Sequence, residues 1–99
     1  MNIVWSSQAR TDLRAIHDFI GRDSEHYASL QIERLIARVE RAAGMPSRGH
    51  PVHEFTESGL REVHEGTYRI IYRVRGEEFQ VVTVVHMKQR ISRRRLSEG

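Results

Sequence analysis

The stretch "GLREVHEGTYRIIYRVRGEEFQVVTVVHMK", residues 59–88, reads as three β-strands joined by tight turns. Its middle segment alternates, with Tyr68, Ile70, Tyr72 and Val74 on one face and Arg69, Ile71 and Arg73 on the other. A two-residue turn at Gly76 and Glu77 sets Val74 against Phe79, Tyr72 against Val81, Ile70 against Thr83 and Tyr68 against Val85, all facing a core. The same register places Arg69 opposite Val84 on the outer face, with His86 diagonally adjacent. A turn at Glu65 and Gly66 brings Val63 into the core and sends Glu62 and His64 outward beside Arg69; a three-residue turn sends His64 inward. The expected sheet has one apolar face and one chemical face bearing Glu62, His64, Arg69, Arg73 and His86.

Upstream, the period changes. "NIVW" is a candidate first strand, and Ser6 or Ser7 can cap the helix that follows, about residues 7–22, whose apolar stripe is Ala9, Leu13, Ile16 and Ile20. Gly21 and "RDS" break the pattern, and Asp23 or Ser24 caps a second helix with the stripe Ala28, Ile32, Leu35, Val39 and Ala42. Gly44 and Pro46 end it. So short a connection folds the helices into an antiparallel hairpin, and each single apolar face needs a sheet to cover it. The turn-rich residues 44–58 form a connecting loop, with a short irregular strand expected near Val52. The expected fold is α+β: an N-terminal strand and a helical hairpin on one face of a small, mainly antiparallel sheet, in a single domain over residues 1–99 with a basic tail at about 88–99.

Ninety-nine residues suffice for one core and no second domain, so function must sit on the surface of one unit. The absence of cysteine excludes a disulfide scaffold, a thiol nucleophile and a cysteine-based zinc site, and makes a reducing cytoplasm the simplest setting. No apolar stretch approaches the length of a membrane span and no basic leader opens the chain, so neither membrane insertion nor secretion is expected. The net charge of +3 is unevenly placed. Residues 1–86 hold 11 arginines against 12 acids, whereas residues 87–99 hold Lys88, Arg90, Arg93, Arg94 and Arg95 against Glu98 alone. Such a tail suits phosphate contacts that are salt-sensitive and indifferent to sequence; it also suits an ordinary solvated terminus. No aromatic residue interleaves those arginines, so base stacking is not indicated there.

Two histidines and an arginine on one face are a set able to cleave RNA. A neutral imidazole takes a proton from a 2′-hydroxyl, an imidazolium protonates the leaving oxygen, and a guanidinium stabilises the phosphoryl transition state. His64, His86 and Arg69 would fill those roles, with Lys88 a further phosphate contact; the competing reading is a solvated polar face. His50 and His53 are a weak metal signal, because they lie on no expected rigid element and complete no zinc pattern. No metal or cofactor is expected. His17 and His26 are helix-surface residues, and Trp5 is a core residue.

The ordered set "IVWSSQARTDLRAIHDFI", the second helix, "GHPVHEF", "GLREVHEGTYRIIYRV" and "VVTVVHMKQR" resembles the RelE/ParE superfamily of type II toxin-antitoxin toxins, and looks closest to its ParE-like branch. That resemblance implies a toxin held inactive by a cognate antitoxin in a hetero-oligomer. It further implies action on DNA gyrase that blocks replication and growth, with Arg73, Lys88, Arg90, Arg93, Arg94 and Arg95 as target- or phosphate-binding residues. The alternative is a RelE- or YafQ-like endoribonuclease that cuts mRNA on the ribosome. In such enzymes Arg69 matches the arginine at the scissile phosphate, Lys88 or Arg90 lies where another catalytic basic residue falls, and His50, His64 and His86 fall near the histidines of the YafQ-like group. The match fails where RelE-like enzymes carry a C-terminal tyrosine, since no tyrosine follows Tyr72, and where YafQ-like enzymes carry an acid, since Gly66 and Thr67 stand there. An arginine at the position of Arg69 also occurs in ParE-like toxins that are not nucleases.

Overall fold

The computed structural model describes residues 1–96. β1 (Asn2–Trp5) leads into α1 (Ser7–Gly21) and α2 (Glu25–Gly44), and a loop with 3-10 turns at Pro46–Arg48 and His53–Phe55 carries the two-residue strand β2 (His50–Pro51). β3 (Arg61–Glu65), β4 (Tyr68–Arg75) and β5 (Glu78–His86) follow, and the short helix α3 (Arg93–Leu96) closes the described chain. The sheet order is β1-β5-β4-β3-β2, antiparallel except for the parallel pair β1 and β5. The expected α+β architecture is therefore present, with the hairpin of helices on one face of a five-stranded sheet.

The helices begin where capping chemistry places them. The Ser6 hydroxyl accepts from the Ala9 N–H at 3.0 Å, and the Ser24 hydroxyl accepts from the Tyr27 N–H at 3.2 Å, each satisfying a donor that the first helical turn leaves open. Ala9, Leu35, Val39 and Ala42 are buried, and together with Val63, Ile70, Tyr72, Phe79, Val81 and Val84 they make the core between helices and sheet. Leu13, Ile16 and Ile32 pack against it as the apolar stripes require. Both hairpin turns place glycine at the first loop position with positive φ, +58° at Gly66 and +56° at Gly76, a geometry open to glycine and matched to strand twist. The β3–β4 turn is Gly66–Thr67, one residue beyond its expected place, so that His64 pairs with Arg69 and Val63 with Ile70. This moves the pairing by two residues, and the faces are preserved: Val63 points to the helices and His64 away.

Between β4 and β5 the expected register holds only as far as Tyr72 opposite Val81. A β-bulge follows, so that Ile71 pairs with Thr83, Ile70 with Val84, Arg69 with Val85 and Tyr68 with His86. Val82 is the extra residue. From there on each side chain of β5 lies on the face opposite to that expected. Val84 joins the helix-side core, whereas Val82 and Val85 join Val52, Leu60, Ile71 and Ile91 in a second apolar cluster on the other face, with Phe55 and Leu96 packed against it. The expected pairs Ile70–Thr83 and Tyr68–Val85 are thus corrected, and Val74, at the end of its strand, is 43% exposed rather than core. The outer face is itself a packed layer, covered by the loop before β3 and by the C-terminal segment.

β1 ends at Trp5, so β5 beyond Val81 is an open sheet edge, and α1 supplies its missing partners. Ser6 donates its N–H to the Val81 carbonyl at 3.0 Å and its hydroxyl to the Val82 carbonyl at 2.6 Å. The buried Asp12 carboxylate accepts from the Val84 N–H at 2.9 Å, from the Thr83 hydroxyl, from Gln8 Nε2 at 2.9 Å and from an Arg95 guanidinium nitrogen at 2.6 Å. One carboxylate thereby joins α1, the open edge of β5 and α3. Replacing Asp12 with Ala leaves a backbone donor, a hydroxyl and a guanidinium without their acceptor, with an expected loss on the order of 3 kcal/mol in urea unfolding. A loss below about 0.5 kcal/mol, the range of an inert surface change, would show that these bonds are not needed.

Candidate functional site

Arg69 lies near the start of β4 on the face away from the helices, and its cross-strand neighbours are His64 on β3 and Val85 on β5. The residue is 3% exposed. Its Nε donates to both Glu62 oxygens at 3.2 Å, one terminal nitrogen donates to Glu62 Oε2 at 2.5 Å and Glu54 Oε1 at 2.8 Å, and the other donates to Glu54 Oε2 at 3.0 Å and the Gln89 carbonyl at 3.4 Å. A guanidinium has five N–H donors, and this set of acceptors engages all of them. Glu54 Oε2 also accepts from the Ile91 N–H at 3.3 Å. Arg69 thus ties β3, the loop before it and the C-terminal segment to β4.

The hydrogen bond from Arg69 holds the Glu54 carboxyl at about 2, against an ordinary 4.5, and outweighs the burial that pushes it up. Burial also pushes Glu62 up, but bonds from Arg69 and His64 prevail and its net shift is downward. The Glu54 bond, reinforced by Glu62, raises Arg69 in turn, so all three groups are charged at neutral pH. Glu54 was not among the residues singled out from sequence. Its signal is absent there, because an acid in a turn-rich loop has no periodicity that points 15 residues ahead to its partner.

Three of the histidines singled out in the sequence lie at or near this cluster. His64 Nε2 lies 2.7 Å from Glu62 Oε1, and the His50 ring is 6.5 Å from that of His64. His53 Nδ1 stands 3.4 Å from Glu54 Oε1. Among the described residues no group of three or more His, Asp or Glu is arranged to hold a metal ion.

His86 is elsewhere. The bulge pairs it with Tyr68, and the two rings meet edge to face at 5.9 Å on the side opposite Arg69. The expected grouping of His86 with His64 and Arg69 on one face is corrected by the extra residue in β5. His86 Nδ1 accepts from the Lys88 N–H at 3.1 Å, which leaves Nε2 to carry the proton of the neutral ring. It borders an open groove of about 400 Å³ between α1 and β5, where Ile16, Phe19 and Tyr68 supply apolar surface.

The expected target-binding cations divide in the same way. Arg73 donates to Gln80 Oε1 at 3.0 Å and is half-buried. Arg95 is committed to Asp12, and the Arg93 guanidinium sits 5.3 Å from the centroid of the Phe55 ring. Lys88, Arg90 and Arg94 are exposed. Ile91 is 5% exposed within the outer apolar cluster, so the basic tail is anchored as far as α3, and its last three residues, 97–99, lie outside the described residues.

The profile of the family described as ParE toxin of type II toxin-antitoxin system, parDE, matches residues 3–91. The chain belongs to this family. Among solved structures it is similar to the chromosomal ParDE toxin-antitoxin system of P. aeruginosa, with a TM-score of 0.74 and 21% identity over 87% of this chain and 95% of that one. It is also similar to the RelBE2 toxin-antitoxin complex of Mycobacterium tuberculosis, with a TM-score of 0.55 and 23% identity over 86% and 95%. No curated protein matches it. The ParE and RelE folds share the helical hairpin on a sheet seen here, and among the described residues no helix is long and apolar enough to cross a membrane.

In this ParE-family chain, truncating Arg69 to Ala strands the buried Glu62 carboxylate and the half-buried Glu54 carboxylate, and is expected to cost about 3 kcal/mol of stability. Equilibrium unfolding of the purified variant would measure it, and a near-native midpoint would refute the structural role. Glu54, whose carboxyl is lowered on folding, stabilises the protein above about pH 4.5, and that stability is lost as pH falls towards 2. A shift of this size corresponds to roughly 3 kcal/mol at most. Urea midpoints measured from pH 6 down to pH 2.5 should fall steeply for the native chain and less steeply for Glu54→Gln; parallel curves would exclude Glu54 as the source.

Proposed function

We propose that this chain is a growth-inhibiting toxin that acts by binding DNA gyrase, and that a cognate antitoxin neutralises it in a cytoplasmic hetero-oligomer. The observation that carries the choice of a binding mechanism over RNA cleavage is the saturation of Arg69. All five of its donors are held by Glu54, Glu62 and the Gln89 carbonyl, so a scissile phosphate finds none available without displacing one of these acceptors. His86, the second imidazole that general acid–base cleavage needs, faces the other side of the sheet. Family membership supports the gyrase target, and the exposed Lys88, Arg90, Arg93 and Arg94 offer a cationic border to a protein–DNA complex.

Two solved relatives are toxin-antitoxin complexes, which supports an antitoxin partner here. The groove between α1 and β5, with Phe19 at 67% exposure on its border, offers apolar surface to a partner segment that folds on binding.

One observation favours the endoribonuclease reading: His64 is exposed, within hydrogen-bond distance of Glu62 and adjacent to Arg69 and His50. The two readings separate in vitro. Purified toxin should inhibit supercoiling by gyrase and leave ribosome-bound mRNA intact. Unchanged supercoiling at saturating toxin, together with mRNA cleavage that is lost in His64→Ala, would replace the gyrase reading with the nuclease.

A further inference from the structure

α2 carries Arg34, Arg38 and Arg41 at spacings of four and three, which places three like charges along one side of the helix. The positions one turn from Arg38 hold Arg34, Leu35, Arg41 and Ala42, so no carboxylate on its own helix relieves the repulsion. Where α2 ends, Arg38 and Arg41 meet Arg48 from the following 3-10 turn around a groove of about 350 Å³ floored by Ala42, Met45 and Val63. Arg38 is steered there by its Nε, which donates to the His64 carbonyl at 3.2 Å. Glu65 is the carboxylate in reach, 3.8 Å from Arg41, whose side chain remains 63% exposed. Three guanidiniums against one carboxylate leave the groove strongly positive, and Met45, 54% exposed, leaves it partly apolar.

We infer that this groove docks an acidic segment of a partner protein, with carboxylates on Arg38, Arg41 and Arg48 and an aliphatic side chain on Met45 and Val63. Planar guanidiniums hold carboxylates through paired hydrogen bonds, and the charge excess selects an acidic partner. Phosphate is the other anion that arginines favour, but a nucleic-acid backbone has no aliphatic side chain to cover Met45, and the groove contains no aromatic ring on which a base would stack. The site is separate from the Arg69 cluster and from the tail, and it does not depend on which enzyme the toxin inhibits.

A fluorescein-labelled hexapeptide of two leucines flanked by glutamates serves as probe, read by fluorescence anisotropy on the full-length chain at low ionic strength. The wild-type protein should bind it, and a triple variant Arg38→Gln, Arg41→Gln, Arg48→Gln should bind it at least about tenfold more weakly. A control of equal charge change on distant exposed arginines, Arg14→Gln, Arg22→Gln, Arg75→Gln, should bind as the wild type does. Equal weakening in both variants, no weakening in the first, or displacement of the peptide by a stoichiometric single-stranded oligonucleotide overturns the inference. Because Arg38 also bonds the backbone of β3, side-chain NMR of the unaltered protein provides a second reading. Peptide addition should shift the Nε–H signals of Arg38, Arg41 and Arg48, and shifts confined to other arginines count against the site.

Discussion

A sheet covered on both faces needs apolar side chains on both, and here the extra residue in β5 supplies the second set. With uninterrupted pairing, Val81, Thr83 and Val85 would share one face with Phe79, and the other would receive Val82, Val84 and His86. The bulge at Val82 turns Val84 towards α1 and α2 and leaves Val82 and Val85 to gather Val52, Leu60 and Ile91 on the far side. That second cluster is what draws the loop of residues 46–60 and the C-terminal segment over the sheet. The bulge also creates a need, because a strand that departs from its ladder has backbone groups to satisfy, and Ser6 and Asp12 satisfy them from the start of α1.

The Arg69 cluster sits under this second layer. Removing three charges from water is costly, and an apolar trio of the same volume would hold the layers at least as strongly. The charged set contributes direction instead. A guanidinium with two carboxylates fixes Glu54, and through it the Ile91 N–H, at one place on the sheet, whereas a greasy contact would let the loop and the tail slide. Gly49 shows how closely that loop approaches: a β-carbon there would lie 2.1 Å from the Tyr72 hydroxyl, which donates to the Pro46 carbonyl at 2.7 Å and accepts from the Gly49 N–H. Two polar anchors, one on each side of β4, therefore locate residues 46–55.

What was legible in the sequence follows from the range over which its signals act. The helices were legible because Ala9, Leu13 and Ile16, and likewise Ala28, Leu35 and Val39, repeat with the helical period, and because Ser6 and Ser24 stand at their caps. The hairpins were legible from glycine at each turn, and the outward placement of Glu62 and His64 from alternation in β3. The bulge was not, because "VVTVV" is apolar at both parities and offers no alternation to reveal a slip. His86 lies beyond the slip and was misplaced by it. Arg69 was found as the polar residue of an apolar strand, but its burial depends on Glu54 and Gln89, partners 15 and 20 residues away that no local pattern encodes.

The same geometry decides where partners can act. A surface that is to bind another macromolecule must keep donors or apolar area uncommitted, and the outer face around β4 has committed both: its arginine to glutamates and its valines to the tail. Accessible area survives at the perimeter of the sheet, in the α1–β5 groove beside Phe19, at the exposed Lys88 and Arg90, and in the arginine-lined end of α2. These surfaces carry different chemistry, one apolar and two cationic. A partner that filled the apolar groove would leave the arginines of α2 accessible unless it also carried acidic residues long enough to reach them, so occupation of one surface and closure of the others are separable events. Inhibition of a toxin by such a partner then depends on how far its chain extends around this perimeter, since the central face is already closed by the protein's own loop and tail.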